Sequence, residues 1–233
     1  MTPDRSVSGV PVAVAAVVGA GLLGGYWLGR YQGWQPAPAD YLAVMTMAFL
    51  TLLLAAVLWL FGSGFVRRFA LPVVMMVFMV PYPTVVREWI ETFFQRGSAL
   101  AAHGFLALSG MPVLRQGMYF HLPGFDMEVA PECSGIHSSL VLFITSLLAG
   151  HLFLRTPSRR TWLTLAVIPL ALARNGIRIF TISQLCVQIS PDMINSYIHR
   201  RGGPIFFALS LIPFFFLLFY LRRSEEKAGR EHK

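Results

Sequence analysis

Charge is the scarce commodity in this chain. Only 13% of its 233 residues are charged, against 55% hydrophobic. That shortage sets aside the length rules of soluble domains, because several runs approach the roughly 20 apolar residues that cross about 30 Å of hydrocarbon. Acidic residues are scarcer still, 11 against 19 basic, for a formal net charge of +8. The excess does not form a basic stripe interleaved with aromatics, so nucleic acid is not an expected partner. Basic residues gather instead at the ends of apolar runs, as topology signals do. With two cysteines, Cys133 and Cys186, there is no disulfide scaffold, and no C-x-x-C spacing points to metal. No internal repeat is present.

What is there reads as an all-α polytopic membrane protein with about six spans. The first, Val10 to Leu28, is longer than a signal-peptide core and is expected to be retained. Its glycines (Gly19, Gly21, Gly24, Gly25) suit close helix packing. The others are expected over Tyr41–Phe61, Phe69–Val86 (broken by Pro81 and Pro83), Ile136–Leu154, Trp162 to beyond Ile182, and Ile205–Leu221. Arg67 and Arg68, then Arg155, Arg159 and Arg160, then Arg222, Arg223, Lys227 and Arg230 fall on one side of such a bundle. The positive-inside rule makes that side cytoplasmic, with both termini there and Arg30 as the exception.

This organisation divides the chain into N-terminal spans (1–83), an extracytoplasmic interfacial segment (84–131), spans bearing the chemistry (132–222) and a charged tail (223–233) that reads as disordered. Within the interfacial segment, Val85 to Leu108 has the mixed polarity of a surface-lying helix. Met111 to Ala130, with Pro123-Gly124, reads as a short hairpin leading into Cys133.

Three chemistry-bearing residues converge in depth. At about 1.5 Å per residue, counting from the inner face places Cys133 and His199 at the outer boundary and Arg178 about 6 Å below it. Arg174 lies one turn deeper and shares a helix face with Arg178. A cysteine in an apolar helix is ordinarily inert packing. Cys133, however, precedes Ser134 and Gly135, which leave access to sulfur, and a helix start favours thiolate. Cys186, between Leu185 and Val187, lacks those features and reads as structural. An arginine inside the apolar slab is a functional residue by default. His199 or His137 supplies the proton donor and acceptor; His137 is one turn into the helix from Cys133. Among the candidate zinc ligands Cys133, His137, Glu132 and His199, Cys133 and His137 at i and i+4 could share one ion, but nothing supplies a clear third and fourth ligand, so neither metal nor other cofactor is expected.

The motifs Glu132-Cys133-Ser134-Gly135-Ile136, Asn175-Gly176-Ile177-Arg178-Ile179 and His199 followed by Gly202-Gly203 resemble those of the exosortase/archaeosortase family. The stretch from Gly110-Met111-Pro112-Val113 through Leu122-Pro123 to Val129 is similar to the family's approach to its cysteine. The resemblance covers roughly Leu100 to Leu221. It implies a membrane-embedded cysteine protease or transpeptidase of the bacterial inner membrane, with Cys133 as nucleophile and Arg178 and His199 as partners. Archaeal relatives tend to carry arginine in the third place. Arg174, Asn175, His137 and Glu132 are candidate supporting residues. The implied substrates are exported proteins ending in a tripartite (PEP-CTERM-type) signal: a short motif such as Pro-Glu-Pro, one span in the lipid bilayer and a basic tail. The new C-terminus would pass through a thioester to water or to an acceptor amine or glycan. The alternative is a non-catalytic membrane component of exopolysaccharide export or assembly, its arginines facing anionic lipid or saccharide.

Overall fold

The computed structural model describes residues 9–129, 135–195 and 202–231. Helices dominate. They are α1 (Gly9–Tyr31), α2 (Pro38–Arg68), α3 (Ala70–Met75) continued by a 3₁₀ turn (Met76–Met79), α4 (Thr84–Leu108), α5 (Ile136–Phe153), α6 (Pro157–Gln188) and α7 (Gly203–Glu231). Five of these are long and apolar enough to cross a membrane, and the broken pair Ala70–Met79 and Thr84–Leu108 makes a sixth if counted as one span. The chain is thus an all-α polytopic membrane protein, and its apolar helix faces are exposed where lipid would cover them. It divides into two compact units, Met1–Glu88 and Trp89–Lys233.

In the first unit α1 lies along α2. A Cβ added at Gly19 would sit 2.7 Å from Leu52 and 2.8 Å from Thr51, so the helices touch backbone to side chain there. Gly21, Gly24 and Gly25 have nothing within 4 Å of such a Cβ and are not part of this contact. Tyr26 meets Trp27, Trp34 and Tyr41 at the connecting turn. Within α2, Gly62 takes φ 80° and ψ 169°, a conformation that β-carbons disfavour, and the helix kinks there. The expected end of the second span at Phe61 is this kink. Val80 to Pro83 then break the chain before α4, whose first amide, Thr84 N, donates to Asp40 Oδ1 (2.6 Å).

In the second unit, the expected hairpin proves to be a three-stranded antiparallel sheet: β1 (Leu114–Gln116), β2 (Tyr119–Leu122) and β3 (Phe125–Glu128), in that order. Leu114 pairs with His121, Tyr119 with Glu128 and Leu122 with Phe125. Alternation turns Phe120, Leu122 and Met127 inward, onto Ala99, Ala102 and Leu106 of α4 and Ile179 of α6. A second core joins the other halves of the helices: Leu142 and Ala149 of α5, Leu163 and Val167 of α6, Phe214 and Leu218 of α7.

Between the two cores, α4 and α6 touch at a glycine. A Cβ on Gly176 would lie 2.7 Å from Ala101 Cβ and 3.1 Å from Ala102 N, which a side chain cannot share. Gly176→Val is therefore expected to cost about 1–3 kcal/mol by overpacking. Thermal denaturation of the detergent-solubilised protein should show a lowered midpoint. An unchanged midpoint would mean the helices do not approach this closely.

The tail differs from its sequence reading. Residues 223–231 continue α7 rather than leaving it. Arg222 Nε donates to Glu226 Oε1 (3.1 Å), and Glu225 accepts bonds from Arg155 N (2.9 Å), Thr156 N (2.6 Å) and Thr156 Oγ1 (2.5 Å). Arg155 and Thr156, some 70 residues away in the sequence, thus order a segment whose composition alone suggests disorder.

Candidate active site

The entry of α5 is built on a glycine in a left-handed conformation. Gly135 has φ 69° and ψ 19° and takes the N-cap position. Its carbonyl accepts from Ser138 Oγ (3.0 Å) and Ser139 Oγ (2.9 Å), closing the first turn. Any β-carbon here would be strained by the backbone and would meet Asn175 Oδ1 at 3.1 Å and Arg174 Nη2 at 3.2 Å. Gly135 thus lies directly against the Arg174–Asn175 turn of α6.

Arg174 makes the connection. It is only 6% exposed. Its Nη2 donates to Ser139 Oγ (3.1 Å) and to the Gly135 carbonyl (3.3 Å), while Nη1 is buried with no hydrogen-bond partner among the described residues. Among the described residues no carboxylate pairs with it. A buried guanidinium held by neutral acceptors keeps donor capacity for a further acceptor. Asn175 beside it is 2% exposed. On its other side a cavity of about 210 Å³ opens between α6 and α7, lined by Leu170, Ala173, Ile177, Phe206 and Leu209.

Arg178 is half-buried, one helical turn beyond Arg174 on the same face and away from the α5–α6 turn. The start of α5 therefore sits at the level of Arg174, deeper along α6 than a count of 20 residues per span places it. The count fails because α6 begins at Pro157 rather than Trp162, directly after the tight turn at Leu154–Thr156.

His137 is exposed, whereas Ser139, two residues on, is buried against Arg174. Two residues rotate a helix by about 200°, so His137 faces away from the guanidinium. Glu132, Cys133 and His199 lie outside the described residues. Cys186 is buried in α6 and its thiol reaches the Pro191 carbonyl at 3.8 Å.

Two contributors were not singled out from sequence. Ser139 shares Arg174 with Gly135. Gln95 of α4 donates from Nε2 to the Val129 carbonyl (2.5 Å), and Val129 N donates to Met118 O (3.0 Å). The chain approaching Glu132 and Cys133 is thereby held on both sides at its last described residue. A lone Gln in a mixed-polarity helix carries no signal of that partner, 34 residues on.

Fold and site together define a polytopic helical membrane protein with a buried arginine pinned to the start of a glycine-capped helix. The chain matches the transmembrane exosortase family (Exosortase_EpsH) over residues 3–216, and it belongs to that family. No curated protein and no solved structure gives a match.

Proposed function

We propose that this exosortase is a cysteine peptidase or transpeptidase acting on the C-terminal tripartite signal of exported proteins. The observation that carries the reading is the tie from Arg174 to Gly135 and Ser139. Cys133 precedes Gly135 by two residues, and two residues of chain reach at most about 7 Å. Arg178 stands about 6 Å along α6 from Arg174. Sulfur and the Arg178 guanidinium thus have the reach to meet.

In the proposed reaction the Cys133 thiolate attacks the peptide carbonyl carbon. Arg178 donates hydrogen bonds to the developing oxyanion. The C–N bond breaks as His199 gives a proton to the leaving amine, and an acyl thioester remains on Cys133. Water or an acceptor amine then attacks, His199 takes its proton, and the thiolate is released. His199 is preferred over His137 because the latter is exposed and faces away from Arg174. The substrate's span would lie against the bundle, its basic tail on the cytoplasmic side, with the reaction at the extracytoplasmic face.

Arg174 acts in this scheme as a positioning residue. Arg174→Gln keeps a donor but not the fork that spans Gly135 and Ser139. It is expected to lower kcat about 10²-fold, as a small misplacement of a nucleophile does, with little change in KM. Arg174→Lys should recover only part of the loss. An equal fall in kcat and in amount of folded protein would mark Arg174 as structural only.

The function itself is tested by co-expressing the chain with a membrane protein that ends in a short motif, one span and an arginine-rich tail. Mass spectrometry of that protein should show loss of the span and tail. If its mass never changes, the peptidase reading fails and a non-catalytic role in export or assembly takes its place.

A further inference from the structure

A second concave site lies at the opposite end of the same unit, where α5 ends, α6 begins and α7 extends past its apolar stretch. The cavity is about 460 Å³, and three arginines (Arg155, Arg160, Arg222), His151 and two glutamates (Glu225, Glu226) line it. The carboxylates are already engaged. Glu225 receives the amides of Arg155 and Thr156 and the Thr156 hydroxyl, and Glu226 receives Arg222 Nε. The cations are less committed. Arg160 spends Nε on the Leu154 carbonyl (2.9 Å), the Arg155 guanidinium is exposed, and neither forms an ion pair among the described residues. Arg223 and Lys227, both exposed, add positive charge nearby.

We propose that this cavity binds the phosphate of an anionic lipid headgroup. The chemistry recognised is a phosphate anion, and arginine forks suit its oxygens. The lipid source follows from position. The apolar stretches of α5 and α7 end beside the cavity at Leu154 and Leu221, and exposed Trp162 marks the same level as an interfacial aromatic would. A basic pocket between helix ends at the headgroup layer is where anionic lipids are held. A basic peptide is disfavoured, because both glutamates are occupied and the surrounding charge is positive. The site is independent of the Cys133 chemistry.

The full chain is purified in detergent and titrated with phosphatidylglycerol or phosphatidylcholine, and lipid retention is read by native mass spectrometry. Phosphatidylglycerol should be retained in preference. Replacing Arg155, whose guanidinium makes no hydrogen bond or ion pair among the described residues, by Gln (Arg155→Gln) should weaken retention about fivefold, the factor for roughly 1 kcal/mol per arginine near a charged surface. Arg155→Gln with Arg160→Gln should weaken it further, and Arg155→Lys should retain most of it. Arg67→Gln with Arg68→Gln removes the same charge outside the cavity and should weaken retention clearly less than Arg155→Gln with Arg160→Gln. Equal retention of both lipids, or equal loss in the two double variants, overturns the site. Displacement by inorganic phosphate at matching concentration overturns the lipid assignment. Preferential binding of an oligo-arginine peptide that Glu226→Gln abolishes would make the occupant a basic segment and also overturn it.

Discussion

Cys133→Ala is expected to leave a co-expressed tripartite-signal substrate at full length. Removing a nucleophile that forms a covalent intermediate costs on the order of 10⁴-fold or more, because the remaining groups can only assist a far slower attack by water. Labelling with an impermeant maleimide supplies the independent check. Cys186 is 1% exposed and lies in a helix core, so reagent reaching the outside of intact cells should modify Cys133 alone. The modified protein should be inactive, and Cys133→Ala should take up no label. A shortened substrate from Cys133→Ala cells would remove the cysteine from the chemistry altogether. Persistent activity after complete labelling would do the same.

The second large effect is expected at Arg178. Arg178→Lys keeps the charge and most of the length of the side chain, so loss of activity reports on geometry. A planar fork can give two hydrogen bonds to one oxyanion or bridge it to its neighbour; an ammonium is a compact point charge. Loss of an oxyanion donor in a low-dielectric site costs about 10²–10³-fold in kcat. Since negative charge builds on the carbonyl oxygen only as the transition state and tetrahedral intermediate form, KM should change little. A near-normal kcat in Arg178→Lys would strip Arg178 of the oxyanion role and leave Arg174, with its buried Nη1, as the group to examine.

The long apolar helices were legible because hydropathy reports length. The kink at Gly62 was legible as the end of a run, since Gly62-Ser63-Gly64 interrupts it. Rotation about a helix axis was much less legible. Gly19, Gly21, Gly24 and Gly25 of α1 look alike in sequence, yet of these only Gly19 meets α2, because no partner is specified by glycine itself. His137 shows the same limit: its distance from Cys133 along the chain is favourable, and its face is not. Arg174 was visible as an intramembrane charge, but its acceptors at Gly135 and Ser139 belong to another helix, 39 and 35 residues away. The helix at 223–231 was missed for a related reason, since its polar residues look solvated until Arg155 and Thr156 are placed beside them.

Glu225 binds the turn between α5 and α6 from the far end of the chain. Trimming the polar C-terminal stretch, a routine step when a membrane protein is prepared for crystallisation, would therefore leave two backbone amides and a hydroxyl without their acceptor. A shortened version ending at Leu221 differs from the full-length one at the join of two spanning helices, even though nothing in those helices has been altered.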